Sequence, residues 1–273
     1  MTEAAPLEAA GALTALAEPP LLEVEGLGKS FGPVTACAEV SFSLWPGEVL
    51  GVVGESGSGK TTLLNCLAGR LLPDSGAVRY RLADGRMADI FALSEAERRL
   101  LARTEWGFVH QNPRDGLRLG VTAGGNIGER LMLVGARHYG HIRAAARDWL
   151  DKVEIDAGRL DDPPAQFSGG MQQRLQIARN LVSRPRLVLM DEPTGSLDVS
   201  VQARLLDLLR GLVGGLGLSA VIVTHDLSVA RLLAHRLIVM RRGRVVEAGL
   251  TDQVLDDPQH PYTQLLAASV LQA

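Results

Sequence analysis

The chain has 273 residues, 46% hydrophobic and 22% charged, with a formal net charge of −3. That length supports one large domain or two small ones, and aromatics at 4% require a mostly aliphatic core. The charge balance offers no basic excess to mark nucleic acid as the main partner, and no apolar run approaches the roughly 20 residues that span a bilayer.

Residues 1–20 carry Glu3, Glu8 and Glu18 but no Lys or Arg, with many Ala and Pro, so they read as a flexible extension and not a signal peptide. Short apolar or alternating patterns predict strands at 21–25, 40–44 and 49–53, the last entering a glycine-rich loop and then a helix over 61–68. Strands are expected at 78–81 and 90–93 on either side of the Asp84-Gly85 turn. Ser94 and Glu97 form a capping box for a helix ending near 103. A strand over 106–110 leads into an irregular, glycine-rich stretch, 112–128. Helices are predicted at 126–134, 142–153 and 169–182, then a strand at 187–191 and an amphipathic helix at 199–212. A strand at 220–224, a helix at 226–234 and a hairpin across Arg242-Gly243 follow, and the tail, 251–273, holds two short helices around Pro258 and Pro261. Alternating strands and helices predict an α/β fold with a parallel sheet, a β-rich flank contributed by the early strands, and a helical block over about 112–183. Cys37 and Cys66 are in no metal-ligand spacing and suit a reducing cytoplasm.

Gly54-Glu55-Ser56-Gly57-Ser58-Gly59-Lys60-Thr61 matches G-x-x-x-x-G-K-[ST] between a strand and a helix. Its glycines let backbone N–H groups turn toward phosphates, and the helix N-terminus favours anions. Lys60 is expected on the β- and γ-phosphates, Thr61 on Mg²⁺ and Thr62 on the α-phosphate. Asp191-Glu192 ends the apolar strand Leu187–Met190. Taken alone two such acids are common; with the phosphate loop they read as a Mg²⁺-holding Asp191 and a Glu192 that serves as general base for, or orients, the attacking water. Gln111, after a strand, can touch Mg²⁺ and that water, and His225, also after a strand, can donate to the γ-phosphate.

The order of these motifs, together with Phe167-Ser168-Gly169-Gly170-Met171-Gln172-Gln173-Arg174 and Ser196-Leu197-Asp198, resembles that of ATP-binding cassette (ABC) ATPases over roughly residues 21–250. The likeness implies a P-loop ATPase with a RecA-like core, an antiparallel β flank and a helical subdomain at about 112–183. Residues 251–273 would be a C-terminal helical extension. It further implies that Phe31 stacks on adenine, that Ser168, Gly169 and Gly170 meet the γ-phosphate bound by a partner subunit, and that Asp198 lies at the dimer interface. ATP and Mg²⁺ are the implied cofactors, and the partner subunit is a second copy or a sister cassette. Family members most often have Gln where this chain has Met171.

The tail 256–266 is similar to the ends of oligopeptide- and dipeptide-importer ATPases, which makes an importer subunit one expectation. Residues 103–107, 115–118, 123–132 and 135–140 instead resemble the ATP-binding proteins of carbon–phosphorus lyase systems (PhnK type). That resemblance implies a cytoplasmic ATPase coupled to the multisubunit lyase core in phosphonate catabolism, with no nucleic-acid partner and no direct membrane insertion. Arg79, Arg81, Arg86, Arg98, Arg99 and Arg103 are offset by nearby acids and read as a solvated face.

Overall fold

A computed structural model describes residues 19–195 and 197–270. The expected N-terminal extension and Ser196 therefore lie essentially outside the described residues. Strand β1 (Leu22–Phe31) and strand β2 (Val34–Leu44) form an antiparallel hairpin, both longer than their apolar cores predict because register shifts after Val24, Leu27 and Lys29 carry the ladder past glycines. Strand β3 (Val49–Val53) is buried along its whole length and delivers the chain through the loop to helix α1 (Lys60–Leu67). Strand β4 (Ser75–Arg81) pairs antiparallel with β1.

Strand β5 (Met87–Asp89) is three residues earlier than the apolar run 90–93 suggests. The Asp89 carboxylate accepts from Phe91 N (3.0 Å) and the Asp89 carbonyl from Ala92 N (3.0 Å), so Ile90–Leu93 is a turn that an acidic side chain closes. Helix α2 (Glu95–Thr104) has the expected capping box: Ser94 Oγ accepts from Glu97 N, and Glu97 accepts from Ser94 N (2.8 Å). Within the arginine group, Arg99 pairs with Glu95, Arg86 with Asp84 and Arg79 with Glu25, all at exposed positions where such pairs add little stability.

Strand β6 (Trp106–Val109) is followed by the single turn α3 (Pro113–Gly116) and then by α4 (Ala123–Leu133), which starts three residues before the prediction. Thr122 caps α4 by accepting from Gly125 N (3.0 Å). The glycines that disguise this helix serve packing: a Cβ at Gly124 would meet Leu160 at 2.7 Å, and one at Gly128 would meet Ile142 at 2.7 Å. Fully buried Asn126 closes the preceding loop by donating to the carbonyls of Arg118, Val121 and Thr122. Helix α5 (Tyr139–Lys152), two short 3₁₀ turns and α6 (Gly169–Leu181) complete the helical block.

Strand β7 (Leu187–Asp191) is parallel to β6 and fully buried. Helix α7 (Val199–Leu216) runs four residues beyond the prediction, through Gly211, Gly214 and Gly215, and stops at left-handed Gly217. Strand β8 (Ser219–Thr224) and helix α8 (Leu227–Leu233) lead to strand β9 (Arg236–Arg241), parallel to β3, and strand β10 (Arg244–Leu250), antiparallel to β9. Helices α9 (Thr251–Asp256) and α10 (Pro261–Val270) form the tail.

These elements make two compact units. One comprises the described residues up to Leu93 together with those from Ile222 onward; the other runs from Ser94 to Val221. The first holds the antiparallel sheet β2-β1-β4-β5 and the β10-β9-β3 set; the second holds the β6–β7 parallel pair and the helical block. The unbroken apolar runs in β3, β7 and β8 suit strands covered on both faces.

Candidate functional site

In the first unit, the glycine-rich loop 54–59 is held in a shape that demands glycine. At Gly54 (φ +149°) a Cβ would lie 2.2 Å from the Met240 carbonyl oxygen, and at Gly59 (φ +104°) 1.9 Å from that of Ala36. Lys60 starts α1, 5% exposed, and its Nζ donates to the carbonyls of Gly54 (2.7 Å) and Glu55 (2.8 Å). Ser58 Oγ is buried and has no hydrogen-bond partner among the described residues. A buried donor with nothing to meet, an ammonium folded over the loop and a helix N-terminus beside them form a concave cationic cradle that fits phosphate.

Cys37 lies under this loop, with its Sγ 3.8 Å from the Gly59 carbonyl oxygen, and burial pushes its thiol up to about 12. Phe31 stands at the end of β1 with its ring exposed, 5.7 Å from Lys29 Nζ, and Lys29 is held by Asp74 (2.7 Å). The Lys29 hydrogen bond, followed by the Ser30 N–H, holds the Asp74 carboxyl below its ordinary range. His225 is exposed between β8 and α8, where Asp226 caps the helix by accepting from Ser228 N (2.8 Å).

In the second unit, Gln111 and Glu192 meet. Gln111 Nε2 donates to Glu192 Oε2 at 3.0 Å, joining the ends of β6 and β7. Glu192 has φ +41°, an uncommon conformation for a residue with a side chain, and Gly195 leaves space for its carboxylate: a Cβ there would sit 3.0 Å from Glu192 Oε2. Buried Asp191 precedes it at the strand end.

Ser168 caps α6 by accepting from Met171 N (3.3 Å), which leaves the hydroxyl proton to give to an anion. Gly169 has nothing near its missing Cβ, whereas a Cβ at Gly170 would strike Val201 Cγ1 at 2.5 Å, so Gly170 also serves the contact with α7. Asp198 caps α7 by accepting from Val201 N (3.0 Å).

A sequence model described as ABC transporter matches residues 37–195. The chain belongs to the ABC transporter family. It is an ATP-binding cassette and an ATP hydrolase. The cassette is 67% identical over 253 residues, 93% of its length and 98% of the relative's, to the protein provisionally named phosphonates utilization ATP-binding protein PhnK of Escherichia coli (strain K12). It is 39% identical to the dipeptide transport ATP-binding protein DppD of the same organism, over 90% of this cassette and 77% of that protein. Among solved structures it is similar to the cassette MJ0796, whose dimer was determined in a post-hydrolysis state bound to ADP and Pi. The TM-score is 0.74 at 30% identity, covering 84% of this cassette and 98% of that chain. No helix of the cassette among the described residues is long and apolar enough to cross a membrane.

Gln173 falls in the motif 167–174 and Gln176 just beyond it; both are fully buried on α6. Gln176 is bonded to both backbone polar groups of one residue: its Oε1 accepts from His110 N (2.7 Å) and its Nε2 donates to His110 O (3.1 Å). Gln173 Nε2 donates to Pro193 O (2.9 Å), and its Oε1 accepts from Gln176 (3.1 Å). The two amides thus tie α6 to the residue before Gln111 and the residue after Glu192. Helical spacing of three residues was the signal available, since it places both amides on one face of α6. Met171 receives Arg159, whose Nη1 is 3.6 Å from its sulfur and whose guanidinium lies 4.4 Å from the Phe167 ring centroid.

Proposed function

We propose that this cassette is the ATPase subunit serving a carbon–phosphorus lyase assembly in phosphonate breakdown, working in the cytoplasm as a dimer with a second copy or a sister cassette. The observation that carries this reading is the 67% identity along nearly the whole length of a phosphonates utilization protein, against 39% along about three quarters of a dipeptide transport protein. An importer subunit is the second reading, supported by the latter similarity and by the tail 256–266.

The proposed chemistry divides among named residues. Residues 54–62 hold the triphosphate, with Lys60 exchanging loop carbonyls for β- and γ-phosphate oxygens, and Phe31 packs on the adenine. The hydroxyl of Thr61, the amide of Gln111 and the carboxylate of Asp191 are hard oxygen donors of the type Mg²⁺ takes, and among the described residues no cluster of three or more His, Cys, Asp or Glu competes as a metal site. Mg²⁺, when bound, supplies neutralisation of charge on the phosphates. Glu192 accepts the proton of the attacking water, and Gln111, already bonded to it, reports the occupancy of that carboxylate to the helical block. His225 donates to the γ-phosphate. Ser168, Gly169 and Gly170 complete the γ-phosphate shell of the partner's nucleotide, and Asp198 stands at that interface. Loss of the γ-phosphate then opens the dimer, and the opening is transmitted to the lyase core.

Affinity purification of the tagged chain from cells growing on a phosphonate tests the assignment. Lyase-core subunits are expected in the eluate, retained through ATP but released on prolonged turnover. Recovery of membrane permease subunits with no lyase subunit would replace this reading by the importer.

A further inference from the structure

We propose that Tyr262, in the tail, is a positioning residue for the phosphate loop: its hydroxyl fixes the Gly54–Glu55 peptide and so couples docking of α10 to nucleotide affinity. The inference rests on the reading that residues 54–62 hold the phosphates.

The Gly54–Glu55 peptide group is held from both ends. Its N–H, that of Glu55, donates to Tyr262 Oη at 3.0 Å, across 207 residues of sequence. Its carbonyl, that of Gly54, accepts from Lys60 Nζ (2.7 Å). The first hydrogen bond comes from the tail, and the other comes from inside the loop. When Lys60 leaves for a phosphate, the Tyr262 bond is the one that keeps this peptide in place.

The tail is built to present that hydroxyl. The Glu247 carboxylate of β10 accepts from Gln259 N (2.8 Å) and His260 N (3.0 Å), which fixes the approach to α10. His260 Nδ1 then accepts from Tyr262 N (3.1 Å) at the start of the helix. The Tyr262 ring is 6% exposed and packs in a cluster with Val53 at the end of β3, Leu227 of α8, and Val254 and Leu255 of α9. The Arg241 guanidinium lies 4.7 Å from the ring centroid. A phenol so confined, on a ring locked by packing, sets the loop more sharply than a water molecule would.

Replacing Tyr262 by Phe keeps the ring and its packing and removes only the acceptor. The Glu55 N–H loses its partner, the loop leaves its binding shape for part of the time, and apparent affinity falls by the fraction lost. Fluorescent ATP and ADP analogues should each bind Tyr262→Phe about 5- to 30-fold more weakly, the factor that corresponds to one unpaired donor. Turnover at saturating ATP should stay within about twofold, because the reacting groups are untouched. Lys60→Ala is the parallel control. If Lys60→Ala binds both analogues like the wild type, the phosphate-loop reading itself fails. If Lys60→Ala loses binding while Tyr262→Phe binds within twofold of wild type, or loses turnover with affinity intact, the role of Tyr262 is wrong. Should Tyr262→Phe not fold, hydrogen exchange of the wild-type Glu55 amide decides. Protection without nucleotide supports the bond, and exchange at the rate of an unstructured peptide overturns it.

Discussion

Gln176→Leu is the sharpest perturbation of the candidate site, because it keeps side-chain bulk and deletes only hydrogen bonds. Gln176 is fully buried, and the change removes the acceptor that the His110 N–H meets at 2.7 Å. The His110 carbonyl keeps a long contact from Gln173 Nε2 (3.4 Å), and Gln173 Oε1 loses its Gln176 donor. Each buried polar group left unpaired costs about 1–3 kcal/mol, and with the residual Gln173 contact the net loss should be about 2–4 kcal/mol. For a chain of this size that corresponds to a fall of about 5–15 °C in melting temperature. His110 immediately precedes Gln111, so the Gln111–Glu192 pair should drift as well. A misplacement worth about 1.4 kcal/mol in the transition state lowers kcat tenfold. Differential scanning calorimetry and steady-state ATPase assays on the same preparation measure both, with KM for ATP expected to change little. A lowered melting temperature with unchanged kcat would show that Gln176 only supports the fold; no change in either would refute the reasoning from the bonds.

Two further outcomes follow from the same structure. Glu192→Gln should retain nucleotide binding, lower turnover by about 10²- to 10⁴-fold, the usual worth of a general base, and accumulate an ATP-bound dimer on size-exclusion chromatography; normal hydrolysis would remove Glu192 from the role. The thiols of Cys37 and Cys66 are raised by burial to about 12 and about 11 from an ordinary value near 9. Their folded-state values exceed the unfolded ones, so their contribution to stability is complete below about pH 9 and is lost as pH rises toward 11 and 12. The native protein at pH 8 should therefore resist a thiol-specific chromogenic reagent that titrates both cysteines after denaturation. Cys37→Ala should flatten the alkaline fall in melting temperature; rapid native labelling would contradict the burial.

Much of the fold was legible in the chain because its signals are local. An apolar run, 49–53, followed by glycines and a Lys can be read as strand, loop and helix without any partner, and β3 and α1 fall there within one residue. Ser94 with Glu97 announces a helix start, and the cap is present. The errors arose where packing or a side-chain hydrogen bond outweighed the preference of the residue types. Gly124, Gly125 and Gly128 argue against a helix, yet α4 begins at Ala123 because Leu160 and Ile142 need the room. Ile90–Leu93 has strand composition, but Asp89 folds it into a turn.

The site divides in the same way. The sequence by itself determined the glycine-rich loop between β3 and α1, the acidic strand end at Asp191-Glu192 and the Ser168-Gly169-Gly170 helix start, since each is a contiguous pattern whose backbone geometry follows from its residue types. Only the tertiary structure decided which side chains meet: Gln111 with Glu192, 81 residues apart; Gln176 with the His110 peptide, 66 apart; and Tyr262 with Glu55, 207 apart. Periodicity and capping place a side chain on a face, but the partner of a hydrogen bond is set by how distant backbones come to lie within 3 Å, and that depends on packing of the whole unit.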